Sequence, residues 1–204
     1  GYVLLFLLAI PLAINALSYA NFDFNYSFLK LKQGAISTGI YLPAYYSHVL
    51  VAAIILLIGI HQVLPQGRKR PKIHRALGKL YVFGVLFFAA PGGLVMSLFI
   101  QRGPWVLTSF IFQSVLWFWF TLQAYRHIRR GEVYRHETWM LRSMSLTLAA
   151  ISLRLYVFLG SGAFDMAQPS SYALIAWSSW VLNWVVVETY LAFRSKGNTS
   201  ALRV

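Results

Sequence analysis

Apolar runs, each close to the roughly 20 residues a helix needs to cross the hydrocarbon of a bilayer, recur along the whole chain. No other feature restricts the fold as much. In hydrocarbon every backbone N–H and C=O needs a protein partner, and a run of this length finds them within itself only as a helix. Six spans are predicted, over residues 2–20, 41–64, 77–100, 105–125, 139–160 and 172–193. The fold class is therefore all-α: a polytopic membrane bundle of six transmembrane helices, forming a single domain over residues 1–204. No break in composition marks a second, soluble domain. The first run has no basic segment before it and reads as a span, kinked at Pro11, in place of a secretory signal peptide.

Composition agrees. Only 11% of residues are charged and 58% are hydrophobic, whereas a soluble domain is about 25% charged. The absence of cysteine excludes disulfides, thiolate metal sites and cysteine-ligated clusters. A net charge of +13 suggests nucleic acid at first sight, but its distribution excludes that partner. Arg68, Lys69, Arg70, Lys72, Arg75 and Lys79 lie between spans two and three. Arg126, Arg129, Arg130, Arg135 and Arg142 lie around the turn between spans four and five, and Arg194, Lys196 and Arg203 follow span six. The opposite side carries only Lys30, Lys32 and Arg102. This asymmetry is a topology signal that places both termini and the two basic loops in the cytoplasm. Those loops are expected to attract anionic lipid. The segment 21–39, rich in Phe, Tyr and Leu, has two open readings on the far side: a short amphipathic element lying in the interface, or a partly ordered loop.

Polar groups inside such a chain mark the places to seek function. In span five, His136, Met140, Ser143, Thr147, Ala150 and Arg154 follow helical spacing. His136 and Arg154 are about 27 Å apart along an axis and five whole turns apart in rotation, so one stripe is expected to face the bundle interior from end to end. Arg154 is expected to be buried with a partner, with snorkelling to the headgroups as the alternative. His48 sits at a depth similar to that of Arg154, and the two are the candidates for an outer cavity. Pro91-Gly92-Gly93 interrupts span three, either as a kink with close helix packing or as backbone opened to line a cavity.

At the basic edge, His61, His74 and His136 form the candidate ligand group for a divalent metal or a haem b, with Gln62, Glu137, Arg142, Ser143, Thr147 and Glu188 in support. Their spacing matches no compact metal motif, and helix capping beside phosphate headgroups is the competing reading. His127 reads as a solvated loop residue. His48 and His61 are about 20 Å apart along a helix but turned about 220° from each other, which disfavours two stacked haems and leaves one at the basic edge open. Nucleophilic catalysis has little support, because no cysteine and no G-x-S-x-G elbow is present. The scarcity of embedded carboxylates counts against a proton or ion pump.

The order of motifs resembles that of an uncharacterised bacterial membrane family known as domain of unknown function 2306. The residues that carry the resemblance are His-Gln-Val-Leu-Pro at 61–65, His-Arg-Ala-Leu-Gly-Lys-Leu-Tyr at 74–81, and the stretch 128–159 with Arg-Arg-Gly, His-Glu-Thr-Trp-Met-Leu-Arg-Ser and Leu-Arg-Leu. It covers roughly residues 41–160. The resemblance implies a multi-pass protein of the bacterial inner membrane and supplies no reaction. It emphasises His48, His61, His74, His136, Arg142 and Arg154. Three functions follow as expectations: a haem- or metal-binding redox module with a quinone-like substrate near His48 and Arg154, a non-catalytic subunit of a larger membrane complex, or a transporter of a small anionic solute. For the complex subunit, Trp177, Trp180 and Trp184 on span six offer a contact stripe, which lipid facing explains equally well.

Overall fold

The computed structural model describes residues 2–64, 69–162, 165 and 168–201, with side chains between residues 3 and 195 of these. Arg68, Arg203 and the side chain of Lys196, which enter the charge asymmetry above, lie outside this set. Among the described residues the chain forms helices and no strand, and six of the helical segments are long and apolar enough to cross a membrane. They are Val3–Asn21, Tyr41–Val63, Pro71–Ser97, Pro104–Arg129, Val133–Gly160 and Pro169–Ser195, here called spans one to six. Consecutive spans pack side by side, and span six also packs against span four. All six contribute to one core, from Ala9 through Ile55, Tyr81, Trp117 and Leu146 to Trp180. Large apolar side chains such as Val3, Phe87, Phe158 and Val186 are left on the outer surface, as lipid contact requires.

Three spans are longer at the basic end than predicted. Span three begins at Pro71, span four runs to Arg129 and span five begins at Val133. A search for apolar runs stops where charge begins, but these helices continue as basic turns beyond the apolar stretch. His74, His127 and His136 consequently lie within helices. Local chemistry sets the ends. Pro71, Pro104 and Pro169 open their helices, where a missing N–H costs nothing. The turn between spans four and five closes at Gly131, whose φ of 77° favours glycine. There the Glu132 N–H donates to His127 O at 3.0 Å.

Pro91 lacks the N–H that Phe87 O would accept. The helix absorbs this defect in a π turn over Val85–Ala89, in which the Ala90 N–H donates to Val85 O. Of the two readings of Pro91-Gly92-Gly93, close packing is the observed one: a Cβ at Gly92 would lie 2.7 Å from Ala44 O and against Ser47 Oγ. Segment 21–39 is an ordered cap of two single-turn helices, Ser27–Lys30 and Gln33–Ile36. Tyr19, Leu29, Tyr41 and Tyr45 form a small core beneath it, and Lys32 Nζ donates to Phe99 O at 3.1 Å, tying the cap to the end of span three.

Candidate functional site

The centre of the bundle holds four hydroxyls. Tyr81 Oη lies 2.9 Å from Ser143 Oγ and 2.7 Å from Thr147 Oγ1, and Thr121 Oγ1 lies 2.7 Å from Ser143 Oγ. Thr121 and Thr147 also lie within donating distance of carbonyls one turn back in their own helices, Trp117 O and Ser143 O, so four hydroxyl protons are shared among five contacts. Spans three, four and five are thereby joined. Ser143 and Thr147 were expected to face inward; Tyr81 and Thr121 were not singled out. Their signal was a hydroxyl midway along an apolar run, which identifies neither the partner nor the helix it comes from.

His48 lies on one side of this cluster. Its Nδ1 is 2.6 Å from Ala89 O, in the π turn of span three. A carbonyl only accepts, so Nδ1 carries the proton and Nε2 is left as the acceptor. The ring meets the edge of the Trp117 indole at 6.4 Å. Gly93 leaves room for it, since a Cβ there would lie 2.8 Å from His48 Nδ1.

At the basic end the candidate ligand histidines come from three different spans. His136 Nδ1 donates to Ala124 O at 2.9 Å, across the span four–span five contact. His61 is half-buried in the last turn of span two. Gln62 Nε2 donates to His74 O at 2.8 Å, joining spans two and three, while Gln62 Oε1 is a buried acceptor with no partner among the described residues. Among the described residues no three His, Asp or Glu side chains form a metal-binding group.

The supporting carboxylates are occupied by arginine. Arg142 grips Glu188 with two bonds, Nε to Oε1 at 2.6 Å and Nη2 to Oε2 at 2.9 Å. Trp184 Nε1 donates to the same Oε1 at 2.7 Å, and Arg142 stacks 4.5 Å from the Trp139 ring. Arg194 Nη2 holds Glu137 Oε2 at 2.9 Å. These pairs clamp span five to span six.

His127 corrects an expectation. It is not a solvated loop residue: its side chain is only 14% exposed, bonds Glu132 Oε2 at 2.6 Å and stacks on Trp139. The bond from His127, followed by the charge of Arg135, holds the Glu132 carboxyl below the usual glutamate range. The tryptophans of span six are also not an outward stripe. Trp180 is buried and donates to Ser109 Oγ at 3.0 Å, and Trp177 Nε1 donates to Trp105 O at 3.0 Å. They hold span six against span four.

The stripe on span five is interior only in part. Ser143 and Thr147 are buried, but the helix tightens at Leu148, where the Ile151 N–H donates to Leu148 O three residues back. Beyond this turn Arg154 is exposed, neither buried nor partnered by a carboxylate among the described residues. Its Nη1 donates to Ala150 O at 2.9 Å, one turn back in its own helix and away from the Gly160 end, so it does not snorkel toward that end either. Leu153, Arg154, Val157, Phe158, Ser161 and Tyr172 line an open groove of about 570 Å³. Arg154 is close enough to Tyr172, Tyr19, Tyr45 and His48 to interact with each electrostatically. At the same end, burial and then the nearby charge of Arg102 hold the Lys32 ammonium below its ordinary value.

A family model described as "Predicted membrane protein (DUF2306)" matches residues 45–191. No curated protein and no solved structure matches the chain.

Proposed function

The chain belongs to the DUF2306 family of membrane proteins, and we propose that it binds an anionic, lipid-soluble ligand at the Arg154 groove. One observation carries this reading: an exposed arginine within a membrane span, resting on its own helix carbonyl, beside the apolar walls of Leu153, Val157 and Phe158. An arginine within a membrane span is costly unless its charge is met. A ligand acid group repays that cost, and the walls suit its apolar part. The ligand is a quinol-like acid, an acidic lipid or a small anionic solute entering from the bilayer. His48, within electrostatic range of Arg154, keeps Nε2 as an acceptor.

Binding of a fluorescent amphiphile with an acidic head, compared with a zwitterionic analogue of the same tail, tests this reading in the purified protein. Arg154→Gln is expected to weaken the acidic probe about tenfold to a hundredfold, as the loss of a charged hydrogen bond does, and to leave the zwitterionic probe unchanged. Equal binding of both probes by the wild type would contradict it.

A second reading has one observation in its favour. His48 and His136 each have Nδ1 bonded to a backbone carbonyl, which leaves Nε2 oriented as metal- and haem-ligating histidines are. An absorption spectrum of oxidised and reduced protein, with elemental analysis, tests it. A featureless Soret region and no stoichiometric metal would remove it.

A further inference from the structure

We infer that Asn183 is a positioning residue of the Arg154 groove: its side-chain amide bridges the tightened turn of span five and sets the half-helix that carries Arg154. This rests on the anionic-ligand reading above. Span five is two helices in series, Val133–Thr147 and Ala149–Gly160, meeting at Leu148. Asn183 of span six is bonded on both sides of that junction. Its Nδ2 donates to Ser145 O at 3.2 Å, and its Oδ1 accepts from Ser152 Oγ at 3.1 Å. From span four, Gln113 Nε2 donates to Leu146 O at 3.4 Å. In an unbroken helix Ser145 O and Leu146 O would serve Ala149 and Ala150. In hydrocarbon a carbonyl loosened from that ladder needs a neighbour's donor, and amides from spans four and six supply it.

Asn183 suits this place through its two unlike ends. A carbonyl only accepts, which turns the NH2 group toward Ser145 and the amide oxygen toward the Ser152 hydroxyl. Ser152 departs from other serines of its span to make the bond. Ser145 and Ser161 donate to carbonyls three residues back, Arg142 O and Phe158 O, the local bond open to any helical serine. The groove lies just beyond the bridge. Leu153, Arg154, Val157 and Phe158 follow Ser152, and Ala150, whose carbonyl holds Arg154 Nη1, lies between the two bridged residues. Tyr172, the groove residue of span six, is eleven residues from Asn183, about 17 Å along the axis and about 20° in rotation. One face of span six therefore lines the groove and also grips the start of the half-helix opposite. Asn183 acts on the ligand only through the placement of Arg154.

The test measures the acidic amphiphile and its zwitterionic analogue on the purified full chain. Wild type, Asn183→Leu, Ser152→Ala, the double variant and Arg154→Gln are compared, with thermal midpoints to confirm folding and hydrogen exchange read separately for residues 133–147 and 149–160. Asn183→Leu is expected to weaken the acidic probe about tenfold, leave the zwitterionic probe unchanged, and speed exchange in 149–160 alone. Ser152→Ala is expected to give a smaller loss of the same kind, and the double variant to be no weaker than Asn183→Leu, because both substitutions remove one shared bond. If Asn183→Leu does not fold, Ser152→Ala decides by itself. Wild-type affinity in the folded variants, an equal loss of both probes, or losses that add in the double variant would overturn the positioning role. The anionic-ligand reading would then stand wherever Arg154→Gln still loses the acidic probe. If the wild type does not prefer the acidic probe, both fall.

Discussion

Tyr81 shows how a single hydroxyl can join three helices. Its two bonds, to Ser143 and Thr147, lie among apolar neighbours such as Met144 and Trp117. Interhelical hydrogen bonds in membranes average about 0.6 kcal/mol and reach about 1.7. Tyr81→Phe is therefore expected to destabilise by a value in that range, read from denaturant unfolding in mixed micelles. No change would mean that the three remaining hydroxyls satisfy one another. Gly92 works differently, through close approach. A Cβ there meets the Ala44 carbonyl and the His48 amide, neither of which can move as a side chain does. Gly92→Ala is expected to cost on the order of 1–3 kcal/mol in the same assay, and an unchanged midpoint would show that spans two and three separate without penalty. Neither residue announces itself in the sequence by its role. A tyrosine in an apolar run reads as an interfacial anchor or as packing, and only the crossing of three helices makes it a junction.

At the scale of the element, the turn between spans four and five depends on a small acid-sensitive lock. Glu132 is bonded by His127 and faces Arg135, and its pKa is depressed. A carboxyl whose folded pKa lies below its unfolded value, about 4.3 for glutamate, stabilises the fold fully above that value. The contribution is lost as pH falls through the depressed folded pKa. Thermal midpoints measured down through this range are expected to fall for the wild type, and Glu132→Gln is expected to flatten that part of the profile; parallel profiles would sink the idea. The elements themselves were largely legible. Six spans followed from run length, and the close packing at Pro91-Gly92-Gly93 was one of two readings. What was not legible had a common cause. Hydropathy ends where charge begins, so the basic turns fell outside the predicted span limits, and His127 read as a loop residue. Residue spacing assumes a uniform helix, so neither the tightened turn at Leu148 nor the exposure of Arg154 was visible. Spacing also cannot say which helix lies opposite, and the Arg142–Glu188 grip was seen only as two embedded charges.

For the whole molecule, the distribution of charge separates structure from function. At the basic end every described glutamate is engaged with a basic side chain: Glu132 with His127 and Arg135, Glu137 with Arg194, and Glu188 with Arg142. Arg142→Gln leaves Glu188 bonded by Trp184 alone and is expected to loosen span six by about 1 kcal/mol, a modest figure because both partners are partly exposed. Increased proteolysis after span six would report that loosening. At the other end, Arg154 lines a largely apolar groove, bonded to the Ala150 carbonyl and, among the described residues, to no carboxylate. The proposed complement of that charge is an acid dissolved in the bilayer. The direct measurement is quantitative mass spectrometry of the lipophilic material that remains with the protein after mild extraction from its native membrane, wild type against Arg154→Gln. Stoichiometric retention of an acidic, lipid-soluble compound by the wild type, lost from the variant at equal thermal stability, is the predicted result. The same retained material in both proteins, or only bulk lipid in the proportions of the membrane, would contradict it.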